Sequence, residues 1–137
     1  MAITSLVMSS EKAVGALRLV LKTGALVFGL SAVILALLPR FFTDLLGLPG
    51  SLELDWAMRM IGITLVALAG NMYGVSTRGA EQAVLFSARV MQFSAGGLGV
   101  LTLLIPATIN WFVTLYAFVG FGFSACYTIF LLKVKRK

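Results

Sequence analysis

The chain has 137 residues, of which 60% are hydrophobic and 12% charged, with a net charge of +6 and a mean hydropathy of +1.02. A water-soluble domain of this size would leave too much apolar surface exposed, so the composition points to a membrane protein. Histidine is absent and Cys126 is the single cysteine, which excludes an internal disulfide, a CxxC redox pair, a Cys/His zinc site and imidazole ligation of haem or chlorophyll.

A helix rises about 1.5 Å per residue, so a hydrocarbon core of about 30 Å takes roughly 20 residues to cross. The length therefore divides into four crossings with short ends. The expected fold is all-α, a polytopic membrane four-helix bundle formed by one domain over residues 1–137. The first crossing runs from about Leu17 to Leu38, with Lys22 in its opening turns and Pro39 stopping it. Its apolar run meets Pro39-Arg40 rather than a small-x-small cleavage site, which reads as a retained helix and not a signal peptide.

Between the first and second crossings the chain reads LLPRFFTDLLGLPGSLELDW, far longer than a tight turn needs. On helical spacing Phe41, Phe42, Leu45 and Leu46 form one apolar face, with Thr43 and Asp44 towards the other, and Gly47 and Pro49-Gly50 end the pattern. These residues predict a short interfacial helix near residues 40 to 48 in the first outer loop. It serves either as a lid on the bundle or as an outer docking surface. The second crossing runs from about Trp56 to Val75, and Asp55, four residues before Arg59, is placed to pair with it.

The third crossing, about Ala83 to Ile105, contains Arg89 and Gln92 and ends at a turn around Pro106; the fourth, about Asn110 to Leu132, carries no charge. Lys12, Arg18, Lys22, Arg78, Arg89 and the tail Lys133, Lys135, Arg136 and Lys137 all fall on one side, against Arg40 and Arg59 on the other. Retention of positive flanks inside predicts that both termini are cytoplasmic. The expected location is a bacterial cytoplasmic membrane, which the charge pattern itself does not single out. Trp56 and Trp111 then both reach the outer interface, where indole rings prefer to sit.

Laid on the first crossing, the third matches Lys22 to Arg89, Gly29 to Gly96, Ala32 to Gly99 and Pro39 to Pro106. The second and fourth align with a shorter offset, Trp56 on Trp111, Gly62 on Ala117 and Ala67 on Gly122. Two readings stand. The chain is a pair of related hairpins, one with an elaborated loop, or its helices share only the small residues, inner cation and outer proline common in membranes.

Small residues also recur at four-residue spacing, as Ala25 and Gly29, Gly70 and Gly74, Ala95 and Gly99, Gly120 and Ser124, and Gly122 and Cys126. Such pairs let helix backbones approach closely, within the bundle or against another protein. Phe118 and Phe121 beside the glycines of the fourth crossing, with Phe41, Phe42 and Leu45 in the loop, form the expected partner-docking set. Lys22, Asn71, Arg89 and Gln92, with Arg18, share one depth and form the expected site for an anion or a lipid headgroup. Snorkelling to the phosphates explains each of those cations individually. The basic tail suits anionic lipid, and no folded basic domain is present to bind nucleic acid.

The arrangement around LLPRFFTDLLGLP, followed by WAMRMIGITLVALAG, resembles the DoxX-like group of small four-helix membrane proteins. In that pattern a first helix ends in proline, an amphipathic loop follows, and the second helix opens with an arginine and a glycine, here Arg59 and Gly62. The likeness extends to about Val75. It implies the four-helix fold, and some members are subunits of quinone-linked membrane oxidoreductases, although this chain shows no redox ligand of its own.

The five acids, Glu11, Asp44, Glu53, Asp55 and Glu81, lie outside the strongly apolar runs and supply no buried carboxylate pair. The expectation is therefore a protein that is not an enzyme and has no metal or cofactor. It would be a small accessory or scaffold subunit packing against a larger membrane complex or in a homo-oligomer. The alternative is an oligomeric transporter or channel for an anionic or amphipathic small molecule. A lipid, quinone or pigment held through apolar contacts alone would leave no motif to read.

Overall fold

The computed structural model describes residues 2–135, with side chains from Ser10 to Val134. It contains five helices, α1 (Ala2–Leu37), α2 (Pro39–Leu45), α3 (Leu52–Arg78), α4 (Glu81–Leu103) and α5 (Trp111–Lys135). Four of them are long and apolar enough to cross a membrane: α1 from Ser10 onwards, α3, α4 and α5. Among the described residues the fold is all-helical, with no strand.

α1 begins well before the expected Leu17. Its 36 residues make a rod of about 54 Å, longer than a hydrocarbon core. Nothing between Ser10 and Leu17 breaks a helix except Gly15, whose cost is small. Ala13, Val14, Leu17 and Leu21 keep one apolar face on helical spacing and all are buried, so packing carries the helix on.

The chain then turns within a single residue. Pro39 opens α2, where its fixed φ suits the first helical position and its missing N–H is no loss. Gly47 closes it with φ of 73°, the left-handed conformation that glycine adopts without strain. The Gly47 N–H donates to Asp44 O and the Leu48 N–H to Thr43 O, at 3.0 and 3.2 Å, the paired bonds of a Schellman cap. Ser51 caps α3, its Oγ accepting the Leu54 N–H at 3.0 Å, with Glu53 and Asp55 in the first turn and Arg78 in the last.

α1 packs along α3 and α4 along α5, giving two antiparallel hairpins joined mainly by α1 against α5. Each hairpin closes on a glycine. A Cβ on Gly62 would lie 3.0 Å from Ala36 N and 3.1 Å from Ala32 O, and one on Gly120 would lie 3.0 Å from Ala95 O and 3.2 Å from Gly99 Cα. Ala32 and Gly99, matched in the sequence comparison of the hairpins, thus both stand at crossings. The partner glycines do not match as aligned, because Gly120 lies nearly one turn beyond Ala117.

Two apolar cores result. At the end that holds the termini, Leu17, Leu21, Met72, Val84, Ala88, Met91, Tyr127 and Leu131 pack across the long helices. At the loop end, Leu35, Phe42, Leu46, Met58 and Val113 pack with Phe112 and Tyr116. Leu26, Leu30, Phe86, Phe93 and Phe118 point outwards instead and are largely exposed. Such an apolar exterior is compatible with an integral membrane protein, in which backbone polar groups are satisfied within helices and side chains meet lipid.

Candidate functional site

At the loop end α2 folds back over the start of α3. The Arg40 guanidinium donates from Nε and Nη2 to the two carboxylate oxygens of Asp55, at 3.0 and 2.8 Å. The expected first-turn pair of Asp55 with Arg59 is therefore replaced by a forked bond to a residue fifteen positions earlier, a geometry arginine is built to make. The hydrogen bond to Asp55, and then its charge, push the Arg40 pKa above its ordinary value.

The buried face of α2 is Pro39, Phe42 and Thr43, continued by Leu46. Phe42 and Leu46 keep the expected apolar face, whereas Phe41 and Leu45 lie off it and Thr43 lies on it. Phe42 is buried at 7% exposure and meets Phe112 and Tyr116 edge-on, with ring centroids 5.5 and 5.8 Å apart, so it holds the lid and is not offered to a partner. Thr43 is fully buried because its hydroxyl donates to Pro39 O at 3.0 Å, which removes the cost of burying it. Of the other docking residues, Phe41 and Phe118 are exposed and Leu45 is half-buried. Phe121 lies with its ring at the space a Gly99 side chain would take, yet keeps an exposed edge.

α5 is tied to the lid through Asn110. Its Oδ1 accepts the Val113 N–H at 2.9 Å as a helix cap, while its Nδ2 donates to Leu45 O at 3.0 Å. The sequence placed Asn110 only at the start of a helix. Its type and its spacing to Val113 signal a cap, but the bond to α2 has no sequence signature.

The polar residues expected to form one anion site are divided among the helix faces. Lys22 lines a furrow of about 580 Å³ between α1 and α3, with Thr23, Ala25, Gly29, Ala69 and Tyr73. Arg89 and Gln92 line a separate cleft of about 70 Å³ between α4 and α5, with Thr128. There the Gln92 amide donates to Thr128 Oγ1 at 2.7 Å, and Ser124 Oγ donates to Gln92 O at 2.9 Å, clamping the two helices together. Gly24 faces Tyr127 and Gln92 faces Thr128, so the two clefts lie near one level, but they open on different sides. Arg18 is spent structurally, donating to Val75 O, Ser76 O and Gly79 O at the end of α3.

Asn71 lines neither cleft. It is exposed on α3, where its amide donates to Ala67 O of its own helix at 2.9 Å. Beside it Gly70 and Gly74 make a Gly-x-x-x-Gly pair. A Cβ built on either glycine meets nothing within 4 Å, whereas Gly62 and Met72 on the opposite side of α3 are buried against the bundle. The pair therefore faces outwards.

The bundle centre holds a further cavity of about 40 Å³, lined by Gly24, Phe28, Met91, Ala95, Gly120 and Tyr127 among others. The Tyr127 hydroxyl has no hydrogen-bond partner among the described residues, although the side chain is 1% exposed. A buried, unpaired hydroxyl costs stability that an apolar isostere does not. Tyr127→Phe is accordingly expected to leave the fold intact and raise the melting temperature by a few degrees, for about 1 kcal/mol. A fall in melting temperature on thermal unfolding in detergent would show that the hydroxyl is paired after all. No group of three or more His, Cys, Asp or Glu side chains that could hold a metal occurs among the described residues. Comparison with protein-family models, with curated proteins and with solved structures finds no match to the chain.

Proposed function

We propose that the chain is a small, non-catalytic, multi-pass protein of a bacterial cytoplasmic membrane, with both termini cytoplasmic, that packs as an accessory or scaffold subunit against a larger membrane complex. The observation that carries this reading is the outward face of α3. Gly70 and Gly74 leave a shallow seat at which another helix backbone can approach closely, and Asn71 offers an amide at its flank. Helix association in lipid depends on close packing and interhelical hydrogen bonds, both of which this face supplies. Asn71 also has a cost in hydrocarbon that a partner helix would relieve.

The DoxX-like resemblance agrees with this role, since some members of that group serve as subunits. A transporter of anionic or amphipathic molecules is the weaker reading. The interior of one copy is packed with Leu17, Leu21, Met72, Met91 and Tyr127 and leaves a cavity of only about 40 Å³, and the cations line separate clefts. Any path for a solute would have to run between copies.

The test is purification from native membranes in mild detergent, comparing the wild type with Gly70→Leu and Gly74→Leu. A Cβ at either position meets nothing within 4 Å, so the variants should fold and melt like the wild type yet lose the co-purifying subunit. A wild type that emerges without a partner, or variants that keep theirs, would refute the role assigned to α3.

A further inference from the structure

We infer that the furrow between α1 and α3 is a binding site for one anionic phospholipid, with an acyl chain lying along its floor and the phosphate held by Lys22. This inference shares the membrane placement proposed above but concerns a furrow that neither Gly70 nor Gly74 lines.

The furrow's shape is that of a chain and not of a compact solute. Its floor is small, with Ala25 and Gly29 from α1 and Ala69 from α3, and its wall is Leu26, Leu30 and Val33. From Lys22 to Val33 the helix rises about 16 Å, the reach of roughly a dozen methylenes. A Cβ built on Gly29 meets nothing within 4 Å, so the floor is open and the protein fills it with no side chain of its own.

The charge lies at one end of this apolar track. Lys22 is exposed, and the one ion pair among the described residues joins Arg40 to Asp55. Its ammonium therefore has no carboxylate partner. Arg18, one turn away, and Arg78, at the end of α3, add positive charge at the same end, where a phosphate is attracted and a zwitterionic headgroup gains less. Depth agrees with this assignment. With Leu37 at one boundary of the hydrocarbon, Lys22 lies about 22 Å along α1, which leaves about 8 Å to the other boundary of a 30 Å core. A lysine side chain spans most of that distance by snorkelling, so its ammonium meets headgroups while the furrow beyond it lies beside acyl chains.

The full chain would be reconstituted into vesicles of equal palmitoyl-oleoyl phosphatidylglycerol and phosphatidylcholine, extracted in mild detergent, and its retained lipid counted by native mass spectrometry. The wild type should retain phosphatidylglycerol about fivefold over phosphatidylcholine, the ratio expected from one added cationic contact at the surface. Lys22→Gln should bring the ratio close to parity and Lys22→Arg should keep the preference. Gly29→Leu, which fills the floor and leaves the charge, should lose the bound lipid without a change in melting temperature. Equal retention of the two lipids by the wild type, or a preference unmoved by Lys22→Gln, would overturn the inference. So would a Gly29→Leu variant that still holds its lipid, or one that loses a second copy of the chain in place of lipid. Gly70→Leu should leave the lipid count unchanged, so failure of the partner reading and failure of this one give different results.

Discussion

Gly120→Val should be strongly damaging, lowering stability by about 3 kcal/mol and abolishing recovery of folded material in mild detergent. The reason is what the new side chain would meet. Even the first added carbon falls 3.0 Å from Ala95 O and 3.2 Å from the Gly99 backbone, and a helix backbone cannot swing aside as a flexible side chain can. The two helices must separate, and in a bilayer no hydrophobic force between them offsets the lost dispersion contacts. Gly122→Val is the control two residues away. Its Cβ meets nothing within 4 Å, and it should change stability by no more than about 0.5 kcal/mol. Unfolding both variants in mixed detergent micelles and comparing their midpoints with that of the wild type decides the matter. Similar losses for the two would mean that valine disfavours α5 generally and that the crossing is not close.

Arg18→Met should cost about 2 kcal/mol, because it removes a charged donor shared by three carbonyls at the end of α3, of which Val75 O also accepts the Gly79 N–H. The bond to Gly79 O at 2.8 Å supplies most of that, with the longer contacts to Val75 O and Ser76 O, at 3.4 and 3.3 Å, adding less. The positive group also faces the negative end of the α3 dipole. Methionine keeps the apolar stem, so a fall in midpoint reports the guanidinium and not lost packing. Arg18→Lys should recover part of the loss, since an ammonium reaches one carbonyl but cannot fork across several. If Arg18→Met melts with the wild type, the arginine merely snorkels and the α3 terminus is satisfied by solvent.

Much of the architecture is legible in the sequence because its signals are local. Four apolar runs give four long helices, and the punctuation of Pro39 and Gly47 gives the short one between them. Faces are harder to read, because the rotation of a helix about its own axis is set by its neighbours. Thr43 looks polar and is fully buried, its hydroxyl satisfied on the preceding turn. Asp55 has Arg59 at ideal helical spacing, yet pairs with Arg40 once α2 folds back. Lys22, Arg89 and Gln92 share a depth that hydropathy shows, but the directions in which they open belong to different helix pairs. Small-residue pairs suffer the same ambiguity. Ala95 and Gly99 face inward and Gly70 and Gly74 outward, although in the sequence the two pairs look alike.

The seating of Phe42 on Phe112 and Tyr116 also sets an order of assembly. Phe42 belongs to the first hairpin and its aromatic partners to the last helix, so a growing chain delivers the ring long before the surface that covers it. Asn110, which fastens Leu45, arrives equally late. Until α5 is inserted, α2 carries an uncovered aromatic ring at one end of a half-built bundle. The loop end therefore cannot close until the first turns of α5 are in place, and a chain truncated before Trp111 would leave that ring bare.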